Sequence, residues 1–419
     1  MHYCVETECD LRLIDPATGE SFTGYPSFAV GSAVFSPAPD RRTLAVIDYG
    51  KNQYRTQGAL KLVDLEQWQI LTTTLTFDNV SASPQFSPDG RLLAVASPTY
   101  RWPPGERLKL VDVARQRIRA EQELGFGVRY MRFSDDGAWL FLYGVDGSRD
   151  YTVNPQTHVA LVQVANLQIV WETVLSTVRH GFFNPNPAAN PHSDLENTVL
   201  LEPAVLFAPA GARLYIVHAD ENALTAVDFT KRKVRTTAIT KRQSWLERLL
   251  ALTAQKAKAK VFNGAIRQAA IAPNGDYLYV SGARSEFKDD VYTETPLGLQ
   301  VIALAHSNEI VHINSTARSL HVSLDGAHLY LHGWENDPAT SAAKEWTEIV
   351  DTTTLQPVAK LEDRALAVGQ RLDGRPILLS TIIRQDGRWE AATLDPTSLA
   401  VMHTWTNKQA GAWGWFVTQ

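Results

Sequence analysis

One short pattern recurs along the 419 residues and limits what the chain can fold into. Its fullest form is Phe86-Ser87-Pro88-Asp89-Gly90-Arg91-Leu92-Leu93-Ala94-Val95-Ala96. Proline pre-sets φ for a turn and glycine accepts positive φ. The flanks are apolar and β-prone, so the stretch reads as strand, tight turn, strand. Variants begin at Phe35, Phe133, Phe207, Ile271 and Val322, and a shortened copy holds Leu372-Asp373-Gly374. The turns of the seven copies fall at 40, 89, 136, 210, 274, 325 and 373, a base period of roughly 48 residues with two insertions.

A second hairpin follows each copy, most clearly at 60–65, 108–113 and 224–229. Four strands per period of this length predict the blade of a β-propeller. The chain resembles WD40-like and YVTN-type propeller repeat proteins over nearly its whole length, which implies an all-β, single-domain fold across 1–419. It departs from true WD40 repeats: no Trp-Asp dipeptide closes the third strand and no regular Gly-His pair precedes a blade. That family's hydrogen-bonded tetrad is therefore not carried over. An extra outer hairpin at 11–20 and the strand-like run Ala412–Val417 predict one more blade, shared between the two ends of the chain. Pairing of N- and C-terminal strands would leave no exposed edge. Eight blades are expected, with seven as the alternative.

In this strand order the turns inside each hairpin share one face, and the remaining connections share the other. The first kind are uniformly tight. The second kind carry nearly all the extra length, so one face is trimmed and the opposite face elaborated. Binding loops concentrate where a rigid scaffold presents them. The expected partner-binding residues on that face are Tyr54, Arg55, Arg101, Trp102, Phe182, Phe183 and Trp334, together with Trp245, Arg248, Leu249 and Lys256 of a predicted helix. Aromatic and Arg pairs suit recognition surfaces, although such aromatics also cap blade ends.

Two insertions stand out. Residues 176–203 hold a Pro- and Asn-rich run that argues for an irregular loop near the central opening, with His180 and His192 as solvated loop histidines. Residues 240–262 predict an amphipathic helix near 244–260, opened by a Ser244–Glu247 capping-box spacing. From Lys231 to Lys260 there are ten Lys or Arg against one acid, in a chain of net charge −5. Such a patch attracts an acidic protein partner or an anionic membrane surface, or simply keeps a packed helix soluble. The acidity of the remainder disfavours nucleic acid. The acidic stretch 284–294 is read as a long loop on the same face.

No GxSxG elbow, HExxH motif, phosphate-binding Gly-rich loop or haem-attachment motif is present, so no catalytic residue and no cofactor is assigned. Asp146 and Asp150 lack the ligand series of an EF-hand, and no metal site is expected. His321 and His332 lie on neighbouring strands near the channel, where a structural role is the commoner reading. No apolar run is long enough for a membrane span, and no signal peptide is recognisable. A cytoplasmic protein is expected; the alternative is an exported one, with its signal removed and Cys4 and Cys9 joined in a disulfide. The functional expectation is a non-catalytic binding platform for a protein partner. The alternative is a propeller enzyme, lactonase-like or a dehydrogenase-associated subunit, with a small-molecule site at the central channel.

Overall fold

The computed structural model describes residues 2–5, 8–11, 28–30, 33–50, 57–99, 105–146, 155–183, 199–241, 264–288, 291–336, 343–362, 364–370, 375–383, 389–406 and 413–414. Every regular element among them is a β-strand. Seven successive four-stranded antiparallel units follow the sequence order: blades 1 (33–78), 2 (85–124), 3 (127–174), 4 (204–238), 5 (264–313), 6 (319–362) and 7 (365–406). A further four-stranded sheet combines the two ends of the chain, with Trp413–Gly414 paired to His2–Val5. The innermost strands of successive blades lie side by side, for example Gly264–Ile271 between Ala204–Phe207 and Ser319–Val322. Blade 5 is widened by Thr240–Lys241 at its outer edge and by Val291–Pro296 on its second strand.

The repeated motif explains each inner turn. In blade 2 the Ser87 hydroxyl bonds Asp89 Oδ1 at 2.6 Å and accepts the Leu92 amide at 3.0 Å, while Gly90 takes φ 71°. The same Ser–Asp bond holds the turns of blades 3 and 6 through Ser134–Asp136 and Ser323–Asp325. That bond holds the carboxyls of Asp89, Asp136 and Asp325 below the usual carboxylate range. The outer hairpins share a second device. In each of the seven blades a non-glycine residue closes the third-to-fourth-strand turn in the left-handed region: Trp68, Gln116, Leu167, Arg232, Ser307, Leu355 and Leu399. An Asp usually opens that turn and accepts its amides, as Asp112 does from Arg115 and Asp351 from Thr354.

The core lies between blades. Alternation sends Leu108 and Leu110 toward blade 3 and Val111 toward blade 1. Between blades 3 and 4, Phe141 stacks on Phe229 with centroids 4.6 Å apart, beside Leu161 and Ile216. Each blade thus covers the apolar face of the next, and tight packing fixes the angular position of the loops above.

Two stretches differ from the loops read in the sequence. Gly181–Phe183 pairs with Val199–Leu201, so the base of the 176–203 insertion is a two-stranded ladder. The prolines that block a ladder begin only at Pro185, leaving the amides of 181–183 able to pair. Residues 284–288 pair with 291–295 in an antiparallel ladder that ends at Lys288 and Val291, because strand 2 of blade 5 simply runs on to Lys288. The predicted helix near 244–260 lies outside the described residues.

Candidate functional site

On the loop-rich side, above blades 3 and 4, a cleft of about 90 Å³ opens to solvent. Arg129, Val145, Asp146, Pro155, His180, Gly181, Phe182, Leu200 and Glu202 line it. It stands where the second strand of blade 3 ends, where the chain passes from blade 3 to blade 4, and beside the 181–183/199–201 ladder.

A β-bulge delivers Arg129. Val128 pairs Gly144 and Tyr130 pairs Tyr143, so Arg129 is the extra residue between them. Bulges re-aim side chains in this way beside functional sites. Two features hold the bulge. Glu106 of blade 2, 1% exposed, accepts the Val128 amide at 2.9 Å through Oε2. Gly144 leaves room for the displaced backbone, since a Cβ there would lie 2.2 Å from the Gly127 carbonyl oxygen.

His180 lines the cleft and meets Tyr143 beneath the surface. The Tyr143 ring is fully buried and its hydroxyl lies 3.1 Å from His180 Nδ1. Burial pushes that hydroxyl far above the ordinary phenol range, so it stays protonated. Tyr130 presents a ring 45% exposed, yet desolvation and then the Glu202 carboxylate push its hydroxyl up, with Arg129 opposing. His158, stacked on Phe126 at 5.0 Å, bridges Asp146 Oδ1 at 2.7 Å and Glu172 Oε1 at 3.2 Å. Glu202 is positioned by its backbone, which bonds Ala265 and Arg267 on either side of Ile266 in the innermost strand of blade 5. The ladder is thereby tied across to blade 5, on the inner side of the face.

Of the expected site residues, Phe182 lines this cleft and Phe183 lies beside it in the same strand. Trp334 lies elsewhere, on blade 6, under the Arg318 guanidinium at 3.9 Å and beside His332 at 6.2 Å. There Ser319 Oγ sits 3.4 Å from His332 Nδ1, and burial pushes the His332 and His321 imidazoles down. Tyr54, Arg55, Arg101, Trp102, Trp245, Arg248, Leu249 and Lys256 fall outside the described residues. Sequence reading named Asp146, His180 and Phe182 but treated His180 as a solvated loop residue; it is half-buried against Tyr143. It missed Arg129, Tyr143, His158 and Glu202. The only local signal for Arg129 was the flanking pair Gly127 and Gly144. Among the described residues no group of three or more His, Cys, Asp or Glu is placed to hold a metal ion.

No protein-family model matches the chain, and no curated protein matches it. Solved structures do. A prolyl endopeptidase aligns with TM-score 0.50 and 13% identity over 90% of this chain and 50% of that one. The fold is that of a β-propeller. The propeller domain of Cps50 (Swd1) from Myceliophteria thermophila aligns with TM-score 0.45 and 13% identity, over 89% of this chain and 100% of that one. The dihydro-heme d1 dehydrogenase NirN gives TM-score 0.42 and 14% identity, over 96% of this chain and 78% of that one. At these identities the likeness concerns the fold alone, and propellers serve enzymes and scaffolds alike.

Proposed function

We propose that this propeller is a non-catalytic binding platform that engages a protein partner through its loop-rich face, with the Arg129–Phe182 cleft as its anchor point. One observation carries the reading: the cleft opens on the face that holds the long connections, and it is built from both. A rigid bulge supplies Arg129, and the inserted ladder supplies Phe182 and Leu200. Arginine and aromatic side chains set in a partly desolvated recess are the usual anchors of interfaces.

Native mass spectrometry of the protein isolated gently from its own organism tests the reading. The wild type should carry a stoichiometric protein partner and Phe182→Ala should not. A lone wild-type chain would count against the platform. A second reading rests on the lining, in which the apolar walls Val145, Pro155 and Leu200 meet the polar groups Arg129, Asp146, His180 and Glu202, the make-up of small-molecule sites. In that case a small ligand alone would raise the melting temperature of the wild type, and Phe182→Ala would abolish the rise.

A further inference from the structure

Blade 4 ends in an exposed edge. Its fourth strand, Lys233–Ala238, is the outermost of its sheet and is exposed at five of its six positions. Among the described residues no strand pairs with its outer side, so backbone N–H and C=O groups face water there.

Charge sets this edge apart. Lys233 and Arg235 stand on the strand, with Lys231 and Arg232 in the turn before it. Asp228 is the one carboxylate within 223–238, the two outer strands and their turn. It is already engaged: Oδ1 accepts the Lys231 amide at 2.9 Å, and Oδ2 lies 3.8 Å from Lys231 Nζ and 3.9 Å from Arg213 Nε. Among the described residues no carboxylate pairs with Arg232, Lys233 or Arg235. The outer strands of blades 1, 2, 3, 5, 6 and 7 each carry at least as many carboxylates as Lys and Arg. On 117–124, for example, Glu121 and Glu123 match Arg117 and Arg119. Edge charges that only discourage sheet-to-sheet contact serve with either sign; blade 4 concentrates one. The stretch that follows, 242–263, holds five Lys or Arg and one Glu, so it adds to that sign.

The strand also has two distinct sides. Lys233 and Arg235 share one with their register partners Asp228 and Ala226, while Val234 and Thr236 lie on the other. Val234 is 41% exposed. Thr236 Oγ1 meets Thr177 Oγ1 at 3.4 Å, in the connection that runs on to His180 and Phe182 of the cleft. The fold already adds a strand to a blade edge just beyond: Thr240–Lys241 lies parallel along Asn308–Glu309 of blade 5.

We propose that Lys233–Ala238 accepts an extended acidic segment of the protein partner as a fifth strand of blade 4. The backbone supplies the ladder and the side chains supply the selection. Carboxylates at alternate positions of the segment stand opposite Lys233 and Arg235, and apolar residues stand opposite Val234. This rests on the platform reading above and gives the partner a second contact beside the cleft.

The test titrates the full chain with three capped heptapeptides: Ser-Glu-Val-Glu-Val-Glu-Ser, Ser-Lys-Val-Lys-Val-Lys-Ser and the block order Ser-Glu-Glu-Glu-Val-Val-Ser. Calorimetry reads binding and hydrogen exchange reads its place. The alternating acidic peptide should bind saturably, lose affinity as salt is added and slow exchange within 233–238. Lys233→Glu with Arg235→Glu should weaken it about tenfold or more, since two attractive pairs become repulsive. Arg117→Glu with Arg119→Glu, the same change of charge on blade 2, should leave it within about twofold. All four side chains are exposed, so neither double variant disturbs the core. The lysine peptide should not bind. No saturable binding by the alternating acidic peptide, equal binding by the block peptide, equal loss in both double variants, or protection outside 233–238 would each overturn the proposal. So would binding of phosphatidylserine vesicles in place of the peptide. If the partner depends on Phe182 while no acidic peptide binds, the edge assignment fails and the platform stands. If the peptide binds at the edge but no protein partner exists, the platform fails and the edge site stands.

Discussion

Gly144→Ala is the sharpest probe of how the cleft is built. The added methyl would lie 2.2 Å from the Gly127 carbonyl oxygen, 2.5 Å from Phe126 Cδ2 and 3.0 Å from the Gly127 carbonyl carbon. Backbone atoms cannot swing aside as a flexible side chain can, so the 127–128 peptide must move by about an ångström to restore ordinary contact. That peptide carries the Val128 amide held at 2.9 Å by Glu106, whose carboxylate is 1% exposed. Overpacking costs about 1–3 kcal/mol. Losing a hydrogen bond to a buried charge costs about 1.5–3 kcal/mol more. The sum, about 2.5–6 kcal/mol, is comparable to the whole stability of many domains. Gly125→Ala is the matched control, because a Cβ there meets nothing within 4 Å. Urea unfolding followed by tryptophan fluorescence measures both. The expected result is a large loss for Gly144→Ala and a change below about 1 kcal/mol for Gly125→Ala. Equal midpoints for the two variants would refute the claim that Gly144 makes room for the bulge and that the bulge aims Arg129.

Two further outcomes follow from the same geometry. Gln116 takes φ 50° in the outer turn of blade 2, so Gln116→Gly relieves a left-handed strain and should raise stability by up to about 1 kcal/mol in urea unfolding, despite glycine's greater unfolded entropy. His321 and His332 are held below the ordinary imidazole range, first by burial and, for His332, then by His321. The unfolded chain therefore takes up these protons first, and stability present above about pH 6.5 should fall as the pH drops below it, by at most about 1.4 kcal/mol per pH unit per histidine. The raised Glu345 carboxyl works the other way, binding its proton more readily when folded, and blunts the fall. Urea midpoints for wild type and His332→Gln between about pH 7.5 and pH 5 check this, with a shallower decline expected in the variant.

The legible parts of this molecule are those in which neighbours in sequence decide the structure. Ser87-Pro88-Asp89-Gly90 closes its own turn through a bond between residues two apart, and the alternation in 105–112 is a property of one strand. The cleft was not legible, because its key contacts join distant residues. Glu106 and Val128 lie 22 positions apart on different blades, and a bulge leaves no periodic trace. Glu202 is set by backbone bonds to Ala265 and Arg267 across the 203–263 interval, which no local pattern encodes. Phe182 was found only because insertions draw attention. The run 284–294 was read as a loop for its acidity, whereas Val291, Tyr292 and Thr293 are β-prone residues that continue the sheet.

A photo-reactive side chain at Leu200, on the cleft wall, tests the central claim most directly, beside the same group at Gln116 in a turn of the trimmed face. Both are produced in the parent organism and illuminated there. The account predicts one dominant protein crosslinked at Leu200 and none at Gln116. A partner captured from Gln116 and not from Leu200 would contradict it, as would illumination that leaves both chains uncrosslinked.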